Sequence, residues 1–135
     1  MRGVFLSIVV AALSLSFDAY ASTNGDIYKY CRKYADRSFQ FEESSDVICF
    51  SYFAGIRDFG RSICKGWKKV SDQTQSTEAK VQIESFRSMD GVGDLKNIDA
   101  VVQHYVNKMK NEPERWDFRA DYAVLESLQA IAPCK

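Results

Sequence analysis

Four cysteines, Cys31, Cys49, Cys64 and Cys134, constrain this chain more than any other feature, because what cysteines do depends on the compartment they occupy. The first 21 residues bear on that question. Arg2 supplies a positive start, Val4 to Leu15 form an apolar stretch, and Ala19-Tyr20-Ala21 places small residues at the two positions a signal peptidase reads. The expectation is a signal peptide over residues 1–21, cleaved after Ala21, and one exported domain over residues 22–135. The apolar stretch is shorter than the roughly 20 residues that cross a bilayer, and no later stretch is long and apolar enough, so no membrane span is expected.

Export turns an even cysteine count into a disulfide framework, for which three pairings exist. If Asp46 to Trp67 is one helix, Cys49 and Cys64 lie about 22 Å apart along its axis. A disulfide needs Cα atoms within about 7 Å, so that pairing fails. In a helical hairpin joined near residues 38–45, Cys31 and Cys49 sit at comparable distances from the turn. The expected bridges are Cys31–Cys49 and Cys64–Cys134. A zinc site needs close pairs such as C-x-x-C, and the chain has none, so no metal is expected.

The spacing of apolar residues is helical throughout. Thr23 to Asp26 reads as a capping box, followed by Ile27, Tyr30, Cys31 and Tyr34 on one helix face. Asp46 reads as the N-cap of a long second helix along Cys49, Phe53, Ile56, Gly60, Ile63 and Trp67. Lys68 to Asp94 is polar and glycine-punctuated, and predicts a long loop. Ile98, Val101, Val102, Tyr105 and Met109 predict a third helix that stops before Pro113. Phe118, Tyr122, Leu125, Leu128 and Ile131 predict a fourth, stopped by Pro133. The expected architecture is all-α: a bundle of about four helices, stapled by two disulfides, with a long loop between the second and third.

Signals of chemistry are sparse. Eighteen Lys+Arg balance eighteen Asp+Glu, and a neutral chain lacks the cationic field that nucleic-acid binding draws on, so no nucleic-acid partner is expected. The single histidine, His104, lies off the apolar stripe of its helix and reads as a solvated or packing residue. Glu112 and Glu114 flank Pro113, where acidic residues near a helix start follow from the dipole alone. No G-x-S-x-G, Walker or G-x-G-x-x-G motif occurs, and the two bridges leave no cysteine as a nucleophile. An enzyme is not expected, and no catalytic residue or cofactor is assigned. The aromatics Phe39, Phe41, Tyr52, Trp67 and Trp116 are assigned mostly to core packing.

A family resemblance rests on an ordered set of segments: Cys49-Phe50-Ser51-Tyr52-Phe53-Ala54-Gly55, Ile63-Cys64, Val101-Val102, Tyr105-Val106, Glu112-Pro113-Glu114 and Ala130-Ile131-Ala132-Pro133-Cys134. Together these resemble the Rap/Tai family. The resemblance implies a periplasmic immunity protein that binds a peptidoglycan amidase effector of a type VI secretion system. It also implies inhibition by occluding the effector's active-site groove, and a homodimer. The alternatives are a periplasmic acid-stress-type helical chaperone, or an inhibitor of another envelope hydrolase. Long loops in small domains carry function disproportionately, so the effector-binding residues are expected at Ser85, Phe86, Arg87, Ser88, Met89 and Asp90. Phe86 and Arg87 are the expected anchors, being of types enriched at interface centres.

Overall fold

Free N–H groups at a helix start require acceptors, and side chains near the helix starts supply them. The computed structural model describes residues 22–135, so the expected signal peptide lies outside the described residues. Helix α1 (Asn24–Asp36) is capped by Thr23, whose Oγ1 accepts from the Asp26 N–H at 3.3 Å. Its buried face is Ile27, Tyr28, Cys31 and Tyr34; Tyr28 takes the place expected of Tyr30, which faces outward. The helix ends at Ser38 and Phe39, both with positive φ, and the Phe39 N–H returns to the Tyr34 carbonyl at 3.0 Å.

Helix α2 (Ser44–Gln73) begins earlier than expected. Asp46 lies inside its first turn and reaches back, so that Oδ2 accepts from the N–H groups of Glu42 and Glu43 at 2.9 and 2.8 Å. Arg37 pairs with the same carboxylate at 3.1 Å and also with Glu43. Burial acts to raise the Asp46 pKa, but the two backbone donors and the guanidinium outweigh it and hold this carboxyl below its usual range.

The expected long loop is replaced by helix. Helix α2 runs on to Gln73, and after Thr74-Gln75-Ser76 helix α3 (Thr77–Asp90) folds back along it. Ser76 caps α3 through the Ala79 N–H. Apolar periodicity was the sequence signal for a helix, and α3 scarcely has one, because Arg87 is its only buried residue. Helix α4 (Asp99–Asn111) leads to a 3₁₀ turn (Pro113–Arg115) and then α5 (Ala120–Ile131), which gives five α-helices among the described residues rather than about four.

Helix α5 buries Ala120, Ala123, Val124, Ser127 and Leu128. The expected stripe shares only Leu128 with that face; Phe118, Tyr122 and Ile131 are exposed. Small residues face inward because α5 lies against α1, α2 and α4, where close approach leaves room for alanine and not for rings.

The core joins α1, the N-terminal half of α2, α4 and α5 around Phe53 and Tyr105, whose rings meet edge to face at 5.3 Å. The Tyr105 hydroxyl donates to the Asn24 carbonyl at 3.0 Å, and Asn24 Nδ2 donates to the Arg115 carbonyl at 2.8 Å. Burial, then the neighbouring Asp99 carboxylate, pushes the Tyr34 pKa up to about 12. Of the aromatics assigned to the core, Phe39, Tyr52 and Trp116 pack at its edge, Phe41 is exposed, and Trp67 packs elsewhere. Both expected bridges form: Cys31–Cys49 with Cα atoms 5.1 Å apart, and Cys64–Cys134 with 5.8 Å. No helix among the described residues is long and apolar enough to cross a membrane.

Candidate functional site

The α2–α3 hairpin is built differently from the rest of the molecule. With 30 residues, α2 is about 45 Å long, more than twice the length of α1, α4 or α5. Its first half packs in the core, and its second half has α3 as its main helical neighbour. The hairpin is held by Trp67 stacked on Phe86 at 5.6 Å between ring centres, and at its base by the C-terminal segment. There Val92 and Pro133 form a β-bridge, the Gly93 N–H donates to the Ala132 carbonyl at 2.7 Å, and Gln129 Nε2 donates to the carbonyls of Ser88 and Gly91, both at 3.3 Å.

Each expected contact residue now has a helical position. Helix geometry sets Ser85, Ser88 and Met89 on the outer face of α3 together with Val81, and all four are exposed. Phe86 lies at the edge of that face, 48% exposed and stacked on Trp67. Arg87 points the other way and is only 8% exposed: Nη1 pairs with Glu84 at 2.8 Å, and Nε donates to Cys134 Sγ at 3.0 Å. Asp90 closes the helix at the mouth of an apolar groove of about 340 Å³ between α2 and α5, lined by Gly55, Ile56, Phe59, Tyr122 and Leu125. The expected segment is thus on the surface, except that one of its two proposed anchors is turned inward.

Phe59, 65% exposed, and Tyr122, 62% exposed, border this groove and were not singled out as contact residues. Phe59 had a signal, since it is apolar yet off the Cys49–Phe53–Gly60 stripe. Tyr122 had none, because a periodic reading of α5 placed it inside. At the far end of the same face Phe118 is exposed beside Arg119, whose guanidinium lies 5.4 Å from the Tyr122 ring centre.

The residues set aside as chemically silent take structural positions. Glu112 and Glu126 both bind Arg115 at 3.0 Å, and Glu126 also meets Lys108 at 2.6 Å. Burial acts to raise the Glu126 pKa, but its two cations hold it below the usual value. His104 is half-buried on α4, with Nδ1 unbonded among the described residues. Comparison with family models, with curated proteins and with solved structures finds no match for this chain.

Proposed function

We propose that this chain is a binding module of the cell envelope: a periplasmic immunity protein that inhibits a cognate peptidoglycan amidase effector of a type VI secretion system by covering its active-site groove. The amidase reading rests on the Rap/Tai resemblance. The observation that carries the binding-module reading is the outer face of α3 beside the α2–α5 groove. Val81 and Met89 are offered to solvent on α3, and Phe59 of α2 and Tyr122 of α5 on the groove that Asp90 borders, with α2 tied to the C-terminal segment by a disulfide. Aromatic side chains on a rigid support lose little freedom on binding, and methionine adapts its shape to a partner, which suits an interface centre. Inhibition by occlusion uses shape and burial, and draws on no cofactor and no catalytic residue of this chain.

Periplasmic co-expression with peptidoglycan amidase effectors, starting with any amidase reading frame found beside this chain's gene, tests the reading: the wild-type chain rescues growth from one of them. The single variants Met89→Glu and Tyr122→Glu, which introduce charge at exposed positions, keep the wild-type melting temperature and lose rescue. Rescue that persists in both variants, with undiminished amidase inhibition in vitro, removes this face from the interface. A wild-type chain that rescues no cell and instead suppresses acid-induced aggregation of unrelated proteins supports the chaperone reading.

A further inference from the structure

The two disulfides occupy opposite environments. Cys31 and Cys49 are fully buried in the core, whereas Cys64 and Cys134 are both partly exposed, and Cys64 lines an open cleft of about 590 Å³ between α2 and the C-terminal segment. The side chains of that cleft carry four positive charges, Arg61, Lys65, Lys68 and Lys135, against the single negative charge of Asp94. Asp94 is taken by Arg61 at 2.7 Å, and Asp72, one turn along from Lys68, approaches it only to 3.7 Å. The other sulfur of the bridge, Cys134 Sγ, is the one that accepts from Arg87 Nε at 3.0 Å. Arg87 is nearly buried, its Nη1 is held by Glu84, and its Nη2 has no partner among the described residues.

Thiol–disulfide exchange needs an accessible sulfur to attack and a stabilised thiolate to leave, and nearby cations favour the thiolate. We propose that Cys64–Cys134 is a thiol–disulfide exchange site whose cationic cleft takes small anionic thiols, with Cys64 as the sulfur attacked and Cys134 as the leaving thiolate. An incoming thiolate forms a bond to Cys64 Sγ while the S–S bond breaks, and the electron pair departs on Cys134 Sγ beside the Arg87 guanidinium. A second thiolate attacks the mixed disulfide at its small-molecule sulfur and frees Cys64. The small thiol is oxidised to its disulfide, and the protein gains two electrons and, at its two sulfurs, two protons. Opening the bridge releases the covalent tie between α2 and the C-terminal segment, against whose Cys134 Gly91 packs at the end of α3. Cys31–Cys49 offers no cleft and stays closed. The inference stands on this cleft and does not depend on which partner the α3 face binds.

The test uses the oxidised chain with 2-mercaptoethanesulfonate, 2-mercaptoethanol and cysteamine, an anionic, a neutral and a cationic thiol. Each rate is divided by the rate of the same thiolate on hydroxyethyl disulfide, which removes intrinsic nucleophilicity. Acid quenching, alkylation and peptide mapping identify the bond opened and the sulfur carrying the mixed disulfide. The expected result is opening of Cys64–Cys134 before Cys31–Cys49, the adduct on Cys64, and normalised rates falling from anionic to neutral to cationic thiol by about threefold or more per step at low salt. The double variant Lys65→Gln/Lys68→Gln, changed only at exposed positions, reduces the advantage of the anionic thiol several-fold, slows the neutral thiol, which attacks as a monoanion, by less, and leaves cysteamine, whose attacking form carries no net charge, nearly unchanged. Any of three results overturns the proposal: Cys31–Cys49 opening first, the adduct accumulating on Cys134, or normalised rates that ignore thiol charge.

Discussion

Helix α2 contains three glycines, Gly55, Gly60 and Gly66, and the same substitution to alanine is expected to change stability in opposite directions along it. Alanine in an exposed helix interior is worth about 1 kcal/mol over glycine. At Gly55 and Gly66 a new Cβ meets nothing within 4 Å, so each change should stabilise by about 0.5 to 1 kcal/mol. At Gly60 a Cβ would stand 2.6 Å from Val92 Cγ2 and 3.0 Å from Val92 Cβ. Val92 has little room to yield: it is 1% exposed, stiff at χ1, and its N–H donates to the Gly60 carbonyl at 3.1 Å. Overpacking costs about 1 to 3 kcal/mol, and against a propensity gain near 1 the upper half of that range leaves a net loss of about 1 to 2 kcal/mol. In a domain of this size that corresponds to roughly 4 to 8 °C in Tm. Thermal unfolding of the oxidised variants by circular dichroism, repeated in urea, reads the difference directly. Gly60→Ala as stable as wild type would refute the close contact of α2 with Val92, and a destabilised Gly66→Ala would refute the open space at that position.

Three further outcomes are expected. Asp46 has its pKa lowered in the folded chain, so the stability it contributes is present above the ordinary aspartate pKa and is lost as pH falls through the lowered value; Asp46→Asn should flatten the acid limb of a Tm-versus-pH curve, and an unchanged limb contradicts the pairing with Arg37. Tyr105→Phe removes a buried donor from the Asn24 carbonyl and should cost about 1 to 2 kcal/mol in urea unfolding, with no change in the far-ultraviolet spectrum. Loss of Cys64–Cys134 by double serine substitution removes a closure spanning 70 residues, worth about 4 kcal/mol in the loop-entropy model, against about 3 for the 18-residue span of Cys31–Cys49; denaturant midpoints of the two double variants compare them.

The sequence by itself determined the cysteine pairing, because a helix holds residues 49 and 64 too far apart for a bridge and a hairpin returns residue 31 to residue 49. It also determined the core face of α4, where Val101, Val102, Tyr105 and Met109 recur at helical spacing and all are buried. In each case the deciding interaction is local, or depends on chain geometry alone. Helix α3 was decided by tertiary structure: its residues are polar on nearly every side, and α2 supplies the surface along which they form a helix, through Trp67 on Phe86. The same is true of α5, where Phe118, Tyr122 and Ile131 of a regular stripe are turned outward, since the inward face holds Ala120, Ala123, Val124, Ser127 and Leu128 and no ring. The candidate site inherits both features. Ser85 to Asp90 could be read as a surface segment from composition, but the burial of Arg87 and the placing of Met89 on one face with Val81 follow from a helix no periodicity announced. Arg61, Lys65 and Lys68 share the α2 face of Cys64 by helical spacing, but the cleft itself forms only when the C-terminal segment, with Lys135, lies along α2.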